Sequence, residues 1–211
     1  MSIPEDDLGT GYAVVMVGVR AERAQRTREQ VLTAARELFA ERGYYATGTT
    51  DIVEAAGVGT RGALYHHFAD KQTLFRAVFE QVELDLSEQA GAAVSGNSGL
   101  EILVSGLTAF LDASLEGEIR QILLIDGPAV LGWEAWREIE ERFGLGAIRS
   151  MLTQGRADGS IRDIDIDAMA HLLLSAVDEA ALFIAHAVDP PAARSQVGNA
   201  LGALLAGLAA H

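Results

Sequence analysis

The sequence predicts an all-α protein, in which an N-terminal three-helix helix-turn-helix unit is joined by a further helix to a larger helical domain. Three observations lead there. Apolar residues recur at three- and four-residue spacing from Thr27 onward, and no segment sustains the alternation of a half-buried strand. Two short helical stretches between residues 47 and 68 are also separated by a glycine-containing turn.

The elements follow in order. Residues 1–26 read as a disordered tail, polar and then briefly apolar over Tyr12–Val19, without a helical or strand period. At Thr27 the pattern changes. Thr27-Arg28-Glu29-Gln30 has capping-box spacing, with the threonine oxygen placed to accept an N3 amide and Gln30 placed to reach back. Val31, Ala35, Leu38 and Phe39 then share one face, and Gly43 stops the helix. A second, shorter helix is expected after a threonine cap, Thr47 or a neighbour, with Ile52, Val53 and Ala56 inward and Gly57 at its end. After a turn through Val58 and Gly59, a third helix runs to about Phe68, with Leu64 and Phe68 inward.

Asp70 is placed to cap a fourth helix, whose apolar positions 74, 75, 78, 79, 82 and 86 recur at helical spacing. Further helices are expected over 99–115, 118–125, 128–157 (interrupted near Gly144 and Gly146), 165–188 and 191–209. Gly127-Pro128, Asp158-Gly159 and Asp189-Pro190-Pro191 punctuate them. The expected division is a tail at 1–26, a helix-turn-helix domain at 27–72 and a larger helical domain at 73–211.

Composition sets bounds on function. A hydrophobic content of 49% with 22% charged residues supports a real core. The absence of cysteine rules out a disulfide framework, a thiol nucleophile and a thiolate metal site. The N-terminus lacks a basic signal-peptide region, and the longest uncharged stretch, Ser195 to His211, is shorter than the ~20 residues a membrane helix needs. A soluble, cytoplasmic protein is expected. There is no phosphate-binding glycine loop, no His-x-x-x-His pair and no Gly-x-Ser-x-Gly elbow, so an enzyme is not expected. His66-His67 makes a poor metal site because adjacent side chains diverge on a helix, and neither a metal nor a cofactor is assigned.

The formal charge of −14 is unevenly spread. Residues 20–80 hold nine Lys/Arg against eight Asp/Glu, whereas residues 81–211 hold seven against nineteen. Within the less acidic part, Arg61, Tyr65, His66, His67 and the chain's only lysine, Lys71, fall inside eleven residues. On a helix, Arg61 with Tyr65 and Gly62 with His66 form rows on the side away from Leu64 and Phe68. Two readings stand side by side. The cluster is either a solvated basic surface, or a helix for the DNA major groove, with Gly62 and Ala63 permitting close approach. In the second reading Arg61 suits guanine edges or phosphate, and Lys71 and the amides of the fourth helix clamp an anion.

Residues about 27–80 resemble the DNA-binding domain of the TetR (tetracycline-repressor-like) family of bacterial transcriptional regulators. The matching run is "GYYATGTTDIVEAAGV…GALYHHFADKQTLFRAVF", with the family's elements in the family's order. The resemblance implies a homodimer with one helix-turn-helix per subunit and a divergent C-terminal domain that binds a small-molecule ligand. It also implies a repressor, released from double-stranded operator DNA when that ligand favours a different separation of the recognition helices. Carried onto this chain, base-reading and phosphate-contacting positions fall on Thr60, Arg61, Gly62, Ala63, Tyr65, His66 and His67, with Thr49 and Lys71 as further phosphate contacts. The rival reading is an architectural DNA binder or a protein-interaction module without ligand response.

Two departures are visible. Five residues, Gly59 to Ala63, stand between Gly57-Val58 and Leu64-Tyr65 where the family pattern has four, so Gly59 is expected to absorb the extra one. Val53 stands where the family usually has alanine, which is expected to spread the packing slightly.

Beyond residue 80 the ligand site and dimer face rest on pattern. The helices over about 165–209 are the expected dimer interface, being apolar nearly all round, with Val197, Leu201, Leu204, Leu205 and Leu208 repeating in the last one and Gly198 and Gly202 allowing close approach. Asp178 and Glu179 are unusual in that setting, since buried carboxylates need partners, and three placements are open: a ligand cavity, a basic group such as Arg120 or Arg149, or a polar rim of the interface. Arg120, Trp133 and Asp178 are the candidate ligand-binding residues. For Trp133 and Trp136, core packing competes with ligand contact. His171 and His186 are expected to be satisfied core or interface residues rather than pH sensors.

Overall fold

The computed structural model describes the backbone of residues 7–210 and the side chains of residues 21–210. Ten α-helices and one π-helix make up its regular structure, with a single isolated β-bridge between Ile161 and Ala209.

Helix α1 spans Asp7–Arg42, so it starts well before Thr27, which lies inside it rather than at its cap. The stretch Ala21–Arg26 explains the difference: it holds strong helix formers and neither glycine nor proline. Gln25 also donates to Glu29 one turn on, at 2.8 Å. Residues 1–6 of the expected tail lie outside the described residues.

Helix α2 covers Thr49–Ala56 and α3 covers Arg61–His67. The N-cap of α2 is Gly48, whose amide donates to the Asp51 carboxylate at 2.9 Å. Thr47, the expected cap, is instead buried, and its hydroxyl donates back to the Gly43 carbonyl at 2.8 Å. Val31, Ala35, Phe39, Ile52, Val53, Leu64 and Phe68 close the core of this small domain, as the periodicity requires.

The turn before α3 takes up the extra residue as expected. Gly59 has φ +80 and the Thr60 amide donates to the Val58 carbonyl at 3.0 Å, a tight three-residue turn centred on the glycine. Thr60 then caps α3, its hydroxyl accepting from Ala63 N at 3.3 Å, and Arg61 becomes the first helical residue.

Helix α4, Lys71–Ala93, belongs to both halves of the molecule. Its first turns carry Leu74 and Phe75 into the small domain, where Phe75 meets Phe39 edge-on at 5.3 Å. Its later turns pack against α5, Gly99–Ala113, and α8, Trp133–Ala157. Between α5 and α8 lie a short α6, Gly117–Ile119, a π-helix over Arg120–Asp126 and α7, Gly127–Leu131. Sequence pattern alone shows an ordinary helix over 118–125. The π-turn has a local correlate: the donor five residues beyond Leu123 would be Pro128, which has no N–H, and the Leu123 carbonyl accepts Trp136 Nε1 at 3.2 Å instead.

The break expected near Gly144 and Gly146 falls at Gly132, where φ is +80. Gly144 continues the helix, and its missing side chain lets Leu174 approach; a Cβ there would stand 2.8 Å from Leu174 Cδ1. Helices α9, Ile166–His186, and α10, Pro190–Ala206, complete the bundle, with α8 packed on α9 and α10 on both α9 and α5. By length and composition α9 is apolar enough to cross a membrane, but Leu173, Leu174, Val177, Ala181 and Ile184 are buried in the bundle core. The leucine repeat of α10 also turns mostly inward. Leu201, Leu205 and Leu208 are buried in the chain's own core and Leu204 alone of the four is exposed.

Candidate nucleic-acid interface and an internal cavity

On α3 the buried row is Leu64 with Phe68 at its C-cap, and Arg61, Gly62, Tyr65 and His66 lie exposed on the other side. Ala63 and His67 are half-buried. The two histidine rings meet edge-on at 5.1 Å, and burial, with the charges of His66 and Arg28, pushes His67 below its ordinary value. Arg28 from α1 sits over the Phe68 ring at 5.3 Å and so places a cation beside the end of α3 that periodicity does not pick out. Thr49 is the first residue of α2 and half-buried.

Two of the expected phosphate clamps are otherwise engaged. The Lys71 ammonium donates to the Tyr44 carbonyl at 2.5 Å and lies 3.9 Å from the Tyr44 ring, and its desolvation there pulls its pKa down. It braces the turn after α1 instead of standing free. At the start of α4 the anion is internal. The Asp70 carboxylate accepts from Thr73 N at 2.6 Å, which holds it below the usual carboxylate range.

The larger domain encloses a cavity of about 140 Å³ between α4, α5, α8 and α9. Leu107, Phe110, Phe143, Ile148 and Met151 supply its apolar wall, and Gly91 and Ala147 stand exposed at its edge. Two buried carboxyls reach it, Glu83 from α4 and Glu140 from α8, which are 3% and 4% exposed. Burial is the largest influence on both. It raises Glu83 to about 7, and it raises Glu140 well above the usual range together with the charges of Glu83 and Asp178.

None of the three expected ligand residues lies on that wall. Asp178 is buried behind it, paired with Arg137 Nη1 at 2.5 Å, so Arg137 takes the role expected of Arg120 or Arg149. Burial raises Asp178 to about 7 against the pull of that guanidinium. Glu179 is exposed. Arg120 lies on the π-helix, outside the cavity. Trp133 is 59% exposed and rests on Trp136 at 4.8 Å; of the pair, Trp136 is the core residue. His171 and His186 are exposed on this chain. Glu83 and Glu140 escape notice in the sequence, although a signal was present: each falls on its helix's apolar period, one turn after Phe79 and one turn after Trp136.

Between cavity and interface lies a set of polar ties. Asp126, at the end of the π-helix, accepts the Tyr44 amide at 2.7 Å and Gln121 Nε2 at 3.1 Å. Gln72 donates to the Val130 carbonyl at 2.6 Å, and Arg36 of α1 is bidentate to Glu118, with both contacts at 2.7 Å, and also pairs with Asp85.

Comparison with known proteins is consistent across both domains. Residues 31–78 match the family described as bacterial regulatory proteins, tetR family, and residues 100–208 match a tetracyclin repressor-like C-terminal domain. A crystal structure of a TetR-family transcriptional regulator from Pectobacterium atrosepticum superposes with a TM-score of 0.82 at 34% identity, covering 90% of this chain and 97% of that one. The transcriptional repressor KstR2 of Rhodococcus jostii is 31% identical over 151 residues, 66% of this chain and 71% of the relative. At 19% identity the fold is also shared with the regulator FadR of Bacillus subtilis in complex with stearoyl-CoA, with a TM-score of 0.64 and coverage of 82% and 96%.

Proposed function

The chain belongs to the tetR family of bacterial regulatory proteins, and we propose that it is a dimeric repressor whose hold on operator DNA is released by a small molecule in the cavity of its larger domain. One observation carries this reading. Helix α4 begins inside the small domain, with Leu74 and Phe75 in its core, and ends as a wall of the cavity, with Glu83, Leu86 and Val94 lining it. A ligand that changes the packing of the later turns therefore moves the base of the DNA-binding head.

In this reading residues 27–72 form the head and residues 73–211 the sensor and dimer domain. Arg61, Gly62, Tyr65 and His66 face the major groove from α3, while Thr49, Thr60 and Arg28 flank them toward the phosphates. Lys71 acts from behind, fixing Tyr44, and Ala63 and His67 set how closely α3 approaches. Dimerisation follows from α9, where Leu172 and Phe183 are 64% and 55% exposed on one stripe, helped by Leu204 of α10. Two heads related by a two-fold axis would meet successive major grooves ~34–36 Å apart. A hundredfold loss of operator affinity then needs only about 2.8 kcal/mol of differential binding. That FadR, which shares the fold, is a regulator in complex with stearoyl-CoA supports the reading that a small molecule is bound. The role is regulatory rather than catalytic, and its place is the cytoplasm, where the DNA is.

The test is recovery of DNA from fragmented genomic DNA by the purified protein. A single enriched site with two-fold symmetry, its half-sites one helical turn apart, is the expected result. Uniform recovery of all fragments would instead favour an architectural binder.

A further inference from the structure

We propose that the cavity takes a small apolar cation, an amine whose hydrocarbon body lies against Leu107, Phe110, Phe143 and Ile148 and whose nitrogen is received by Glu83 and Glu140. The inference rests on reading this cavity as the ligand site and names the chemistry of its occupant.

Of the residues that line the space, only Glu83, Glu140 and Ser87 carry a polar side-chain oxygen. A pocket of this kind fixes orientation through its few polar groups, and here both of the deep ones are carboxyls. Glu83 Oε1 is buried and has no hydrogen-bond partner among the described residues. An orphaned buried oxygen of this kind calls for a donor.

The charges around the pair favour a positive donor. From α4 the facing group is Glu83 itself; Asp85 on the same helix is turned to Arg36. From α8 come Glu140, Glu141 and Arg137, and from α9 comes Asp178. The cavity wall contributed by α5 carries no charged side chain. Two arginines of α8 stand near the cavity. Arg137, whose charge also pulls Glu140 down, is committed to Asp178, to Ser175 at 2.5 Å and to Glu141 at 3.5 Å. Arg142, over the Phe143 ring at 4.9 Å, pairs with Glu80 at 3.1 Å. Among the described residues, neither Glu83 nor Glu140 is thus ion-paired with a cation. Empty, they are tolerated because burial raises both toward the neutral form, the charges of Glu83 and Asp178 raising Glu140 further. A bound ammonium, entering as Glu83 gives up its proton to solvent, would supply both the missing charge and the missing donor, and Phe110 adds a ring that attracts a desolvated cation. The space itself, about 140 Å³, suits a body of roughly one aromatic ring, since a cavity of ~150 Å³ holds benzene.

The experiment uses three probes of one shape and three charges, namely benzylamine, benzyl alcohol and benzoate, with binding measured by titration calorimetry on the full chain. Benzylamine is expected to bind roughly tenfold or more tightly than benzyl alcohol, with benzoate weakest. Benzylamine stays protonated from pH 6 to pH 8, whereas Glu83 loses its proton across that range, so its affinity should rise about tenfold with pH. Glu83→Gln should erase the preference for the amine while leaving benzyl alcohol binding intact. Equal or tighter binding of benzyl alcohol or benzoate, a pH-independent amine affinity, or no amine binding at millimolar concentration each overturns the proposal. The pH profile of the wild type decides even if the variant does not fold. Release of DNA is scored separately with the same probes. An amine that binds without releasing DNA leaves the cation site standing and removes the sensor reading, and release by a non-cation with no amine binding does the reverse.

Discussion

The Asp126 carboxylate accepts the Tyr44 backbone amide at 2.7 Å, tying the end of the π-helix in the larger domain to the turn that leaves α1 in the DNA-binding head. That amide lies just past the C-terminus of α1, next to Gly43, and Lys71 holds the Tyr44 carbonyl from the other side. With the Gln72–Val130 and Arg36–Glu118 contacts, this joint ties the two domains, and Lys71 belongs to the helix that also lines the cavity. Gly127 follows Asp126 and is pressed so closely on Phe79 and Trp136 that a Cβ there would stand 2.6 Å from Phe79 Cε2. Phe79 and Trp136 are each one turn before the cavity carboxyls Glu83 and Glu140, which gives the joint a short packed route to the cavity.

Asp126→Ala should leave the Tyr44 amide without its partner and cost about 1–3 kcal/mol of stability. Chemical denaturation checks this, and Asp126→Asn, which keeps an acceptor, should recover part of the loss. Because the joint couples the domains, Asp126→Ala is also expected to blunt ligand-driven release of DNA.

Stability should fall as pH rises. Glu83 is raised in the folded chain to about 7 from an ordinary 4.5, so between those values the folded state binds more protons than the unfolded one. That favourable contribution is fully present below about pH 4.5 and is lost as pH passes through 7, amounting to roughly 3 kcal/mol for a shift of this size. Melting temperature measured from pH 5 to pH 8 should decline, and the decline should flatten in Glu83→Gln and Glu140→Gln.

Phe183→Glu should give a monomer. The side chain is exposed on the single chain and lies on the α9 stripe with Leu172, so a charge there opposes burial against a second copy without disturbing the core. Light scattering coupled to size exclusion should report half the wild-type mass, and operator affinity should fall with it. An unchanged dimer would move the interface elsewhere.

Gly59→Ala isolates the cost of the longer turn. Nothing lies within 4 Å of a Cβ at that position, so the loss comes from holding a non-glycine residue at φ +80 alone, about 1–2 kcal/mol. Denaturation measures the stability term, and DNA affinity reports whether α3 keeps its register.

The head was legible in the sequence because its signals are local. Leu64 and Phe68 one turn apart, Asp70 before α4 and Gly57 after α2 each act within a few residues, and all four take the expected positions. Errors arose where long-range contacts override local ones. Thr47 looks like a cap but is drawn into the core by the Gly43 carbonyl, and Lys71 looks free but is held by Tyr44, 27 positions away in the chain. Thr27 looks like a helix start because nothing local marks how far α1 continues upstream. The cavity was illegible for a related reason. Its walls come from four helices, and Asp178 drew attention as a charge in an apolar run, although its partner Arg137 hides it and the less conspicuous Glu83 and Glu140 reach the space.

The central claim is that α3 reads DNA, and the most direct measurement is binding to the duplex upstream of the protein's own gene. Wild type would be compared with Arg61→Ala and Tyr65→Ala at roughly 50 and 200 mM salt. The expected result is a site bound with steep salt dependence and weakened by both substitutions. Arg61→Ala should cost about 1–3 kcal/mol and relax the preference at one base pair in each half-site. No sequence-specific binding at low salt, with both variants indistinguishable from wild type, would contradict it and leave the α3 cluster a solvated surface.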